Sequence, residues 1–411
     1  MIIIRAKYLI PNPENCIENG AVTVNGVKID RFGKFDELKT HGKNETIIDL
    51  GNAVILPGLI NIHTHLDLCN LHNRVKPTNN FTHWVFQIAG AKLRWKDEDY
   101  ISSIEKGAEI CIESGTTTLA DIASTGHSFA ILKKYPLRKV VFKEIINTNP
   151  DNVNDVMNKI QTELSMTATD NLLHTGLSPH APYSVSKELY QAIAQMAKKT
   201  GTPICTHIAE TQDEIEFLTR GTGNFPILLK QLRAMPNNWQ PPGFTPILYL
   251  KETGILSSSP LLIHCNYITD EEISMIKSTN ANVAFCPRSH RFFGHTNHPV
   301  QKLLDAGINV GLGTDSLASN DSLSILDEMK FLFNNYSISP KTLLTLATIN
   351  GAKALNMESK VGQIREGFQA DLCAIRISNS HTDNIYNQLL DVATKNIFTM
   401  VAGTVCYNMS L

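Results

Sequence analysis

The stretch Pro57-Gly58-Leu59-Ile60-Asn61-Ile62-His63-Thr64-His65-Leu66-Asp67 decides how this chain is read. An apolar run from Ala53 to Ile62 ends in two histidines one residue apart. Side chains at positions i and i+2 of a β-strand share a face. His63 and His65 therefore converge on one point beyond the strand's carboxyl end. Two neutral imidazoles placed like this suit a divalent transition metal, zinc first. Alone, the motif also describes two surface histidines at a strand end. The rest of the chain decides between the two.

Working outward, residues 57–355 alternate short apolar runs with amphipathic stretches. Eight strands are expected: Val54–Ile62, Thr116–Ile122, Val140–Ile146, His174–Ser178, Pro203–His207, Leu261–Cys265, Ala281–Cys286 and Asn309–Thr314. Helical periodicity fills many of the gaps, as in Asp97–Ser114, Lys187–Lys199, Asp270–Ser278 and Val300–Ala306. Eight strand-and-helix units predict an α/β protein, a (β/α)8 barrel of the TIM type. A doubly wound open sheet is the alternative, but no glycine-rich phosphate loop follows the first strand. The barrel is the better reading.

Both ends of the chain have a different texture. Met1–Ile10, Gly20–Asn25, Lys28–Phe32 and Thr46–Leu50 read as strands, with turns at Pro11-Asn12-Pro13, Asn25-Gly26 and His41-Gly42. The tail repeats the pattern in Val361–Ile364, Ala370–Ile377 and Met400–Tyr407. The expectation is a small β-sandwich domain built from residues 1–56 with 357–411, flanking a barrel domain over 57–356. The irregular segment 221–251 reads as a lid or pocket wall, or as a plain surface excursion.

Composition narrows the function classes. The chain has 411 residues, 42% hydrophobic and 18% charged, as in a globular protein with a sizeable core. A net charge of -2 makes no electrostatic case for nucleic acid or an anionic membrane, so a small-molecule substrate is expected. Eight scattered cysteines without a C-x-x-C pair argue against a disulfide framework and a cysteine zinc site. The apolar start, interrupted by Arg5 and Lys7, reads as a strand, not a signal peptide. No run approaches the roughly 18 apolar residues of a membrane helix, and the expected location is cytoplasmic.

In a barrel, chemistry collects at the carboxyl ends of the strands. The first expected strand ends in His63 and His65, the fourth in Ser178-Pro179-His180, and the fifth in His207, with Glu210 three residues on. The sixth ends at His264 and the eighth in Gly313-Thr314-Asp315-Ser316. Five of 14 histidines thus fall at the ends of four apolar strands, a pattern that points to one shared site.

The order His63-x-His65, His207-Ile208-Ala209-Glu210, His264, Thr314-Asp315-Ser316 resembles the amidohydrolase superfamily. It is most similar to the branch of cytosine, guanine and adenosine-type deaminases and triazine chlorohydrolases. Gly176-Leu177-Ser178-Pro179-His180-Ala181-Pro182-Tyr183-Ser184 resembles a segment of the adenosylhomocysteine and methylthioadenosine deaminases. Gly362-Gln363-Ile364 with Gly367-Phe368-Gln369-Ala370-Asp371-Leu372 looks like the tail that closes the family's small β domain. The resemblance implies that His63, His65, His207 and Asp315 bind one divalent metal, zinc or alternatively iron. Members with two metals carry a lysine at the end of strand four; here that strand ends at His180, and Lys143 reads as structural. Members of this branch are commonly dimers or tetramers.

Chemistry on such a centre leaves few choices. Asp315 is placed to take a proton from water, His264 to orient that water, and Glu210, a non-ligand acid, to protonate a ring nitrogen of the substrate. A helix-start carboxylate is the plainer reading of Glu210. His180 resembles a nucleoside contact of the adenosine-type deaminases. Their ribose-binding acid before a tryptophan is replaced here by His83, ahead of Trp84. In Cys286-Pro287-Arg288-Ser289-His290-Arg291-Phe292-Phe293, the residues Arg288 and His290 are candidates for gripping a substrate carboxylate, with Phe292 and Phe293 stacking on a base or benzoate. The expected activity is hydrolytic deamination of an aminated purine nucleoside or heterocycle. A carboxylate-bearing adenine nucleoside such as aminodeoxyfutalosine fits the basic turn. Chlorohydrolase or cyclic-amide hydrolase activity is the alternative, and a catalytically silent scaffold the third class.

Overall fold

The computed structural model describes residues 1–38, 46–76, 78–166, 170–377 and 384–409. The expected turn at His41-Gly42 lies outside them. Eight parallel strands run in chain order: β1 (Leu59–Thr64), β2 (Thr116–Ala123), β3 (Arg138–Ile145), β4 (Leu173–Pro179), β5 (Cys205–Ile208), β6 (Leu261–His264), β7 (Asn282–Phe285) and β8 (Val310–Leu312). They form two four-stranded parallel ladders, β1 to β4 and β5 to β8. Single parallel bridges join the ladders at Leu177 with Ile204 and at Thr64 with Asp315. The two bridges close the ring into the expected barrel. All residues of β1, β2, β5 and β6 are buried, which is why these strands read as continuous apolar runs and not as alternating ones.

The helices between the strands follow local signals. Ser186 accepts a hydrogen bond from the Leu189 amide at the start of Lys187–Thr200, and Gly201 ends that helix with φ 72. Thr269 and Glu272 form a reciprocal capping box on Asp270–Ser278. Among the described residues, no helix is long and apolar enough to cross a membrane.

The chain ends build one continuous eight-stranded sheet. Its central strand, Ile2–Asn12, pairs along one edge with Asn15–Asn25. Along the other it pairs first with Thr46–Asp49 and then with Ala53–Pro57. Val22 and Ile29 near one end of this sheet share a core with Phe398 and Met400 near the other, so the sheet folds over on itself as a sandwich. The expected strand Val54–Ile62 is two strands. Ala53–Pro57 pairs antiparallel with Leu372–Arg376, while β1 enters the barrel. The break falls at Gly58, whose amide bonds the Asp371 carbonyl at 2.9 Å. A Cβ there would overlap Thr117, so only glycine fits. Met400–Tyr407 spans the turn of a hairpin between Lys395–Val401 and Thr404–Asn408. Val361–Ile364 is not a strand, because the Val361 amide turns back to the Met357 carbonyl.

One buried ion pair joins barrel and end sheet. Arg138, the first residue of β3, donates from Nε to Asp371 Oδ2 at 2.9 Å and from Nη2 to Oδ1 at 3.2 Å. Asp371 also accepts from the Ala402 amide at 2.8 Å. Both residues are under 5% exposed, so neither charge has water to fall back on. Arg138→Met strands the carboxylate, and unfolding free energy is expected to fall by about 3–5 kcal/mol. An unchanged urea midpoint would show that the pair contributes nothing to stability.

Candidate active site

Closure of the barrel brings residues 63 and 315 together. The amides of Thr314 and Asp315 both donate to the His63 carbonyl, at 3.0 and 3.1 Å. Buried Asn61 spans the same seam, donating to Thr314 Oγ1 at 2.8 Å and accepting from the Thr314 amide at 3.2 Å. The approach is close enough that a Cβ on Gly313 would lie 2.8 Å from His63 Cβ. Asp315 leaves β8 in the left-handed region, φ 57, which turns its carboxylate toward the ends of β1.

Here His63 of β1 and His65, just past its end, meet His207 of β5. One ring nitrogen from each lies within 4.8 Å of the others, and the same holds for one atom each of Glu210, His264 and Asp315. His63 Nε2 is 3.6 Å and His65 Nε2 3.8 Å from Asp315 Oδ1. The Nε2 atoms of His65 and His207 face each other at 3.2 Å. His207 Nδ1 lies 3.0 Å from the His180 carbonyl, which accepts its proton and leaves the Nε2 lone pair toward the cluster. Both ring nitrogens of His63 are buried without a hydrogen-bond partner. Asp315 divides its oxygens: Oδ2 accepts from Ser289 Oγ and Ser319 Oγ, each at 2.7 Å, while Oδ1 faces the imidazoles. Three imidazoles and a carboxylate with convergent, unsatisfied atoms fit a divalent transition cation.

The electrostatics agree with that donor set. Burial, reinforced by the neighbouring imidazoles, holds His65 and His207 well below the usual histidine range. Burial alone would raise Asp315, but the facing His63 and the other imidazoles keep it well below the carboxylate range. Burial pushes Glu210 in the opposite direction, helped by Asp315 and Glu214. His264 is lowered to about 3, chiefly by burial.

Glu210 and His264 reach the cluster through unusual backbone. Ala209 (φ 51) turns the chain after β5, and His264 (φ 75) does so at the end of β6. Glu214 accepts from the amides of Ala209 and Glu210, at 3.0 and 2.9 Å, and so holds the first turn in place. Glu210 Oε1 then lies 3.3 Å from His264 Nε2, both side chains being almost fully buried. Glu210 lies just outside the helix Gln212–Arg220, ahead of its cap Thr211, and its carboxyl faces His264.

The expected substrate contacts are scattered around this centre. His180 sits beside His207, with 4.8 Å between ring centroids, and its Nδ1 is 2.7 Å from Ser184 Oγ. Trp84 donates from Nε1 to the Ala318 carbonyl at 3.0 Å, next to the Asp315 segment. His83 does not join the site. One helical position before Trp84, it turns outward and is exposed beside Asn224 and Ile227.

Arg288 and His290 line two neighbouring cavities that share Arg291 and Phe331. Arg288 lines a cavity of about 520 Å³ with Lys76, Arg291 and Phe292; His290 lines another with Tyr267, His295 and His298. One helical turn carries successive side chains to different faces. Arg288 also pairs with Asp321, although its Nη1 is buried without a partner. Phe293 packs against Trp84 and Phe81, away from that basic cavity. Lys143 pairs with Glu163.

Segment 221–251 walls a separate cavity of about 330 Å³, where Trp239 stacks on Phe217 at 4.3 Å. Sequence reasoning missed Ser289, Ser319, Lys92 and Glu144. Lys92 donates to Ser124 Oγ at 2.8 Å, and Glu144 Oε1 lies 4.0 Å from His180 Nε2. Burial raises Glu144 to about 7. Nothing local marks Ser289, Lys92 or Glu144, since their partners lie in distant segments, whereas Ser319 is only four residues from Asp315 and its spacing was a usable signal.

The amidohydrolase family model matches residues 54–406. The 5'-deoxyadenosine deaminase of Methanocaldococcus jannaschii is 30% identical over 402 residues, covering 92% of this chain and 89% of that protein. The aminofutalosine deaminase of Helicobacter pylori, solved with methylthio-coformycin, shares the fold with a TM-score of 0.87. The identity there is 24%, and the match covers 98% of this chain and 100% of that one. A zinc-bound adenosine deaminase from Xanthomonas campestris matches with a TM-score of 0.85 at 22% identity, over 99% of this chain and 93% of that one. The chain belongs to the amidohydrolase family of metal-dependent hydrolases.

Proposed function

We propose that this protein is a hydrolytic deaminase of an adenine nucleoside, releasing ammonia. The observation that carries the reading is the buried Glu210 carboxyl, 3.3 Å from His264 and grouped with Asp315 against three imidazoles. Hydrolysis of an amidine needs a proton donor for the ring nitrogen beside the base that takes a proton from water. Deaminase names among the relatives, led by 5'-deoxyadenosine deaminase, support the same reaction. All eight cysteines are free, which favours a cytoplasmic enzyme.

We assign His63, His65, His207 and Asp315 as ligands of one divalent cation, zinc in preference to iron. When bound there, such a cation would supply Lewis acidity, which would bring the pKa of water from 15.7 toward about 7. Asp315 takes a proton from the attacking water, and His264 orients that water. Glu210 gives its proton to the ring nitrogen next to the carbon under attack. As the carbonyl forms, Glu210 takes the proton of the added hydroxyl, and the proton held by Asp315 goes to the amino group. The C–N bond breaks, ammonia leaves, and both carboxyl groups return to their starting states. His180 and Trp84 hold the nucleoside.

The cavity of Arg288, Arg291 and Lys76, three cations against the one carboxylate of Asp321, begins at Leu317–Ser319, directly after Asp315. It suits a carboxylate on the far arm of the nucleoside, with Phe292 beside it for an aromatic linker. This favours a substrate of the aminofutalosine class over plain adenosine.

Purified enzyme is expected to release ammonia from such a nucleoside, with an inosine-like ultraviolet shift. Chloride release from an s-triazine without ammonia would reverse the reading. Glu210→Gln is expected to lower kcat about 10²–10⁴-fold with metal retained; wild-type kcat in that variant would remove Glu210 from the chemistry. Arg288→Ala is expected to raise KM about 10–100-fold for the carboxylated nucleoside and not for adenosine, and equal effects on both would refute a carboxylate contact. Replacing Ser289 and Ser319 together by alanine is expected to weaken metal binding about 10–100-fold in a chelator titration.

A further inference from the structure

His264 and Cys265 both lie in the left-handed region, φ 75 and 53. Side chains with a Cβ rarely adopt it, and consecutive residues do so only where the surroundings hold them there. The Cys265 amide is tied to the Ile208 carbonyl of β5 at 3.0 Å. The His264 carbonyl is left to accept from elsewhere, and the side chain that reaches it is His298, whose Nε2 lies 2.9 Å away.

The chemistry of this contact is unambiguous. A carbonyl only accepts, so His298 Nε2 carries the proton and Nδ1 the lone pair. The ring is buried and stacked on Phe285 of β7, with 3.7 Å between centroids and 18° between planes. Burial lowers the imidazole to about 4, so the neutral donor form persists at neutral pH. Pro299 follows directly, fixing the chain as it enters the helix Val300–Asp305.

We infer that His298 is a positioning residue for the reaction: its bond to the His264 main chain fixes the turn that aims the His264 ring at Glu210. A sub-ångström shift of that carbonyl rotates the ring away from a partner now 3.3 Å distant. His298 touches neither the imidazole cluster nor Glu210 by any hydrogen bond, so its effect passes through His264. The kinetic part of the test rests on the deaminase reading above.

Two variants separate the donor from the ring in the metal-loaded enzyme. His298→Phe keeps a ring against Phe285 and removes the donor; His298→Gln keeps an N–H donor and removes the ring. The expected result is a kcat about tenfold lower in His298→Phe, the scale of one lost net hydrogen bond. KM and bound metal stay unchanged, and kcat in His298→Gln stays within about threefold of wild type. In metal-free protein, the Cys265 amide should exchange faster in His298→Phe and stay protected in His298→Gln. Wild-type kcat in His298→Phe, or equal losses in both variants, would overturn the assignment. Should His298→Phe fail to fold, His298→Gln decides: kcat near wild type with a protected Cys265 amide upholds it, and a tenfold loss overturns it. A wild-type enzyme that releases no ammonia from any nucleoside would instead defeat the deaminase reading, leaving the Cys265 exchange result to stand by itself.

Discussion

The seam where β8 returns to β1 is the constraint on which everything else depends. Two amides, Thr314 and Asp315, share the His63 carbonyl, and Asn61 ties the same two strands by its side chain. Without that closure, residues more than 250 positions apart would not meet. With it, an imidazole pair from one strand and a carboxylate from another face a third imidazole across the barrel mouth. Gly313 is the local condition for the seam, because any side chain there would collide with His63.

Burying so many titratable groups in one place sorts them by charge state. Burial favours neutral forms, so His65, His207 and His264 are driven toward free bases and Glu210 toward the protonated acid. Asp315 alone escapes, because the imidazoles around it favour its anion. The outcome is a set of lone pairs and one carboxylate facing a common point, with a proton-bearing acid at the edge. Two serine hydroxyls fix the Asp315 carboxylate by holding one of its oxygens, which leaves the other directed at the imidazoles.

The rest of the molecule keeps this mouth in shape. The Arg138–Asp371 pair anchors the end sheet to the start of β3, at the opposite end of the barrel from the histidines. Helix Gln212–Arg220 starts directly behind Glu210, and Glu214 on it pins the turn that presents the acid. Aromatic packing among Phe81, Trp84 and Phe293 lines one flank, while Arg288, Arg291 and Lys76 line another together with Asp321.

By itself the sequence determined the strand order, the barrel, and the residues that gather at its mouth. Buried parallel strands are continuous apolar runs, and chemistry at their carboxyl ends falls at predictable offsets, so His63, His65, His207, Glu210, His264 and Asp315 were all legible. Only the tertiary structure decided that Gly58 divides one apolar run between two sheets and that His83 turns outward while Trp84 turns in. It also decided that Arg288 and His290 line neighbouring cavities instead of one, and that Ser289 and His298 brace the site. Strand periodicity is a local property, set by each residue's own backbone and burial. A hydroxyl or imidazole that supports another segment leaves no local trace, because its partner is brought to it only when the ring of strands closes.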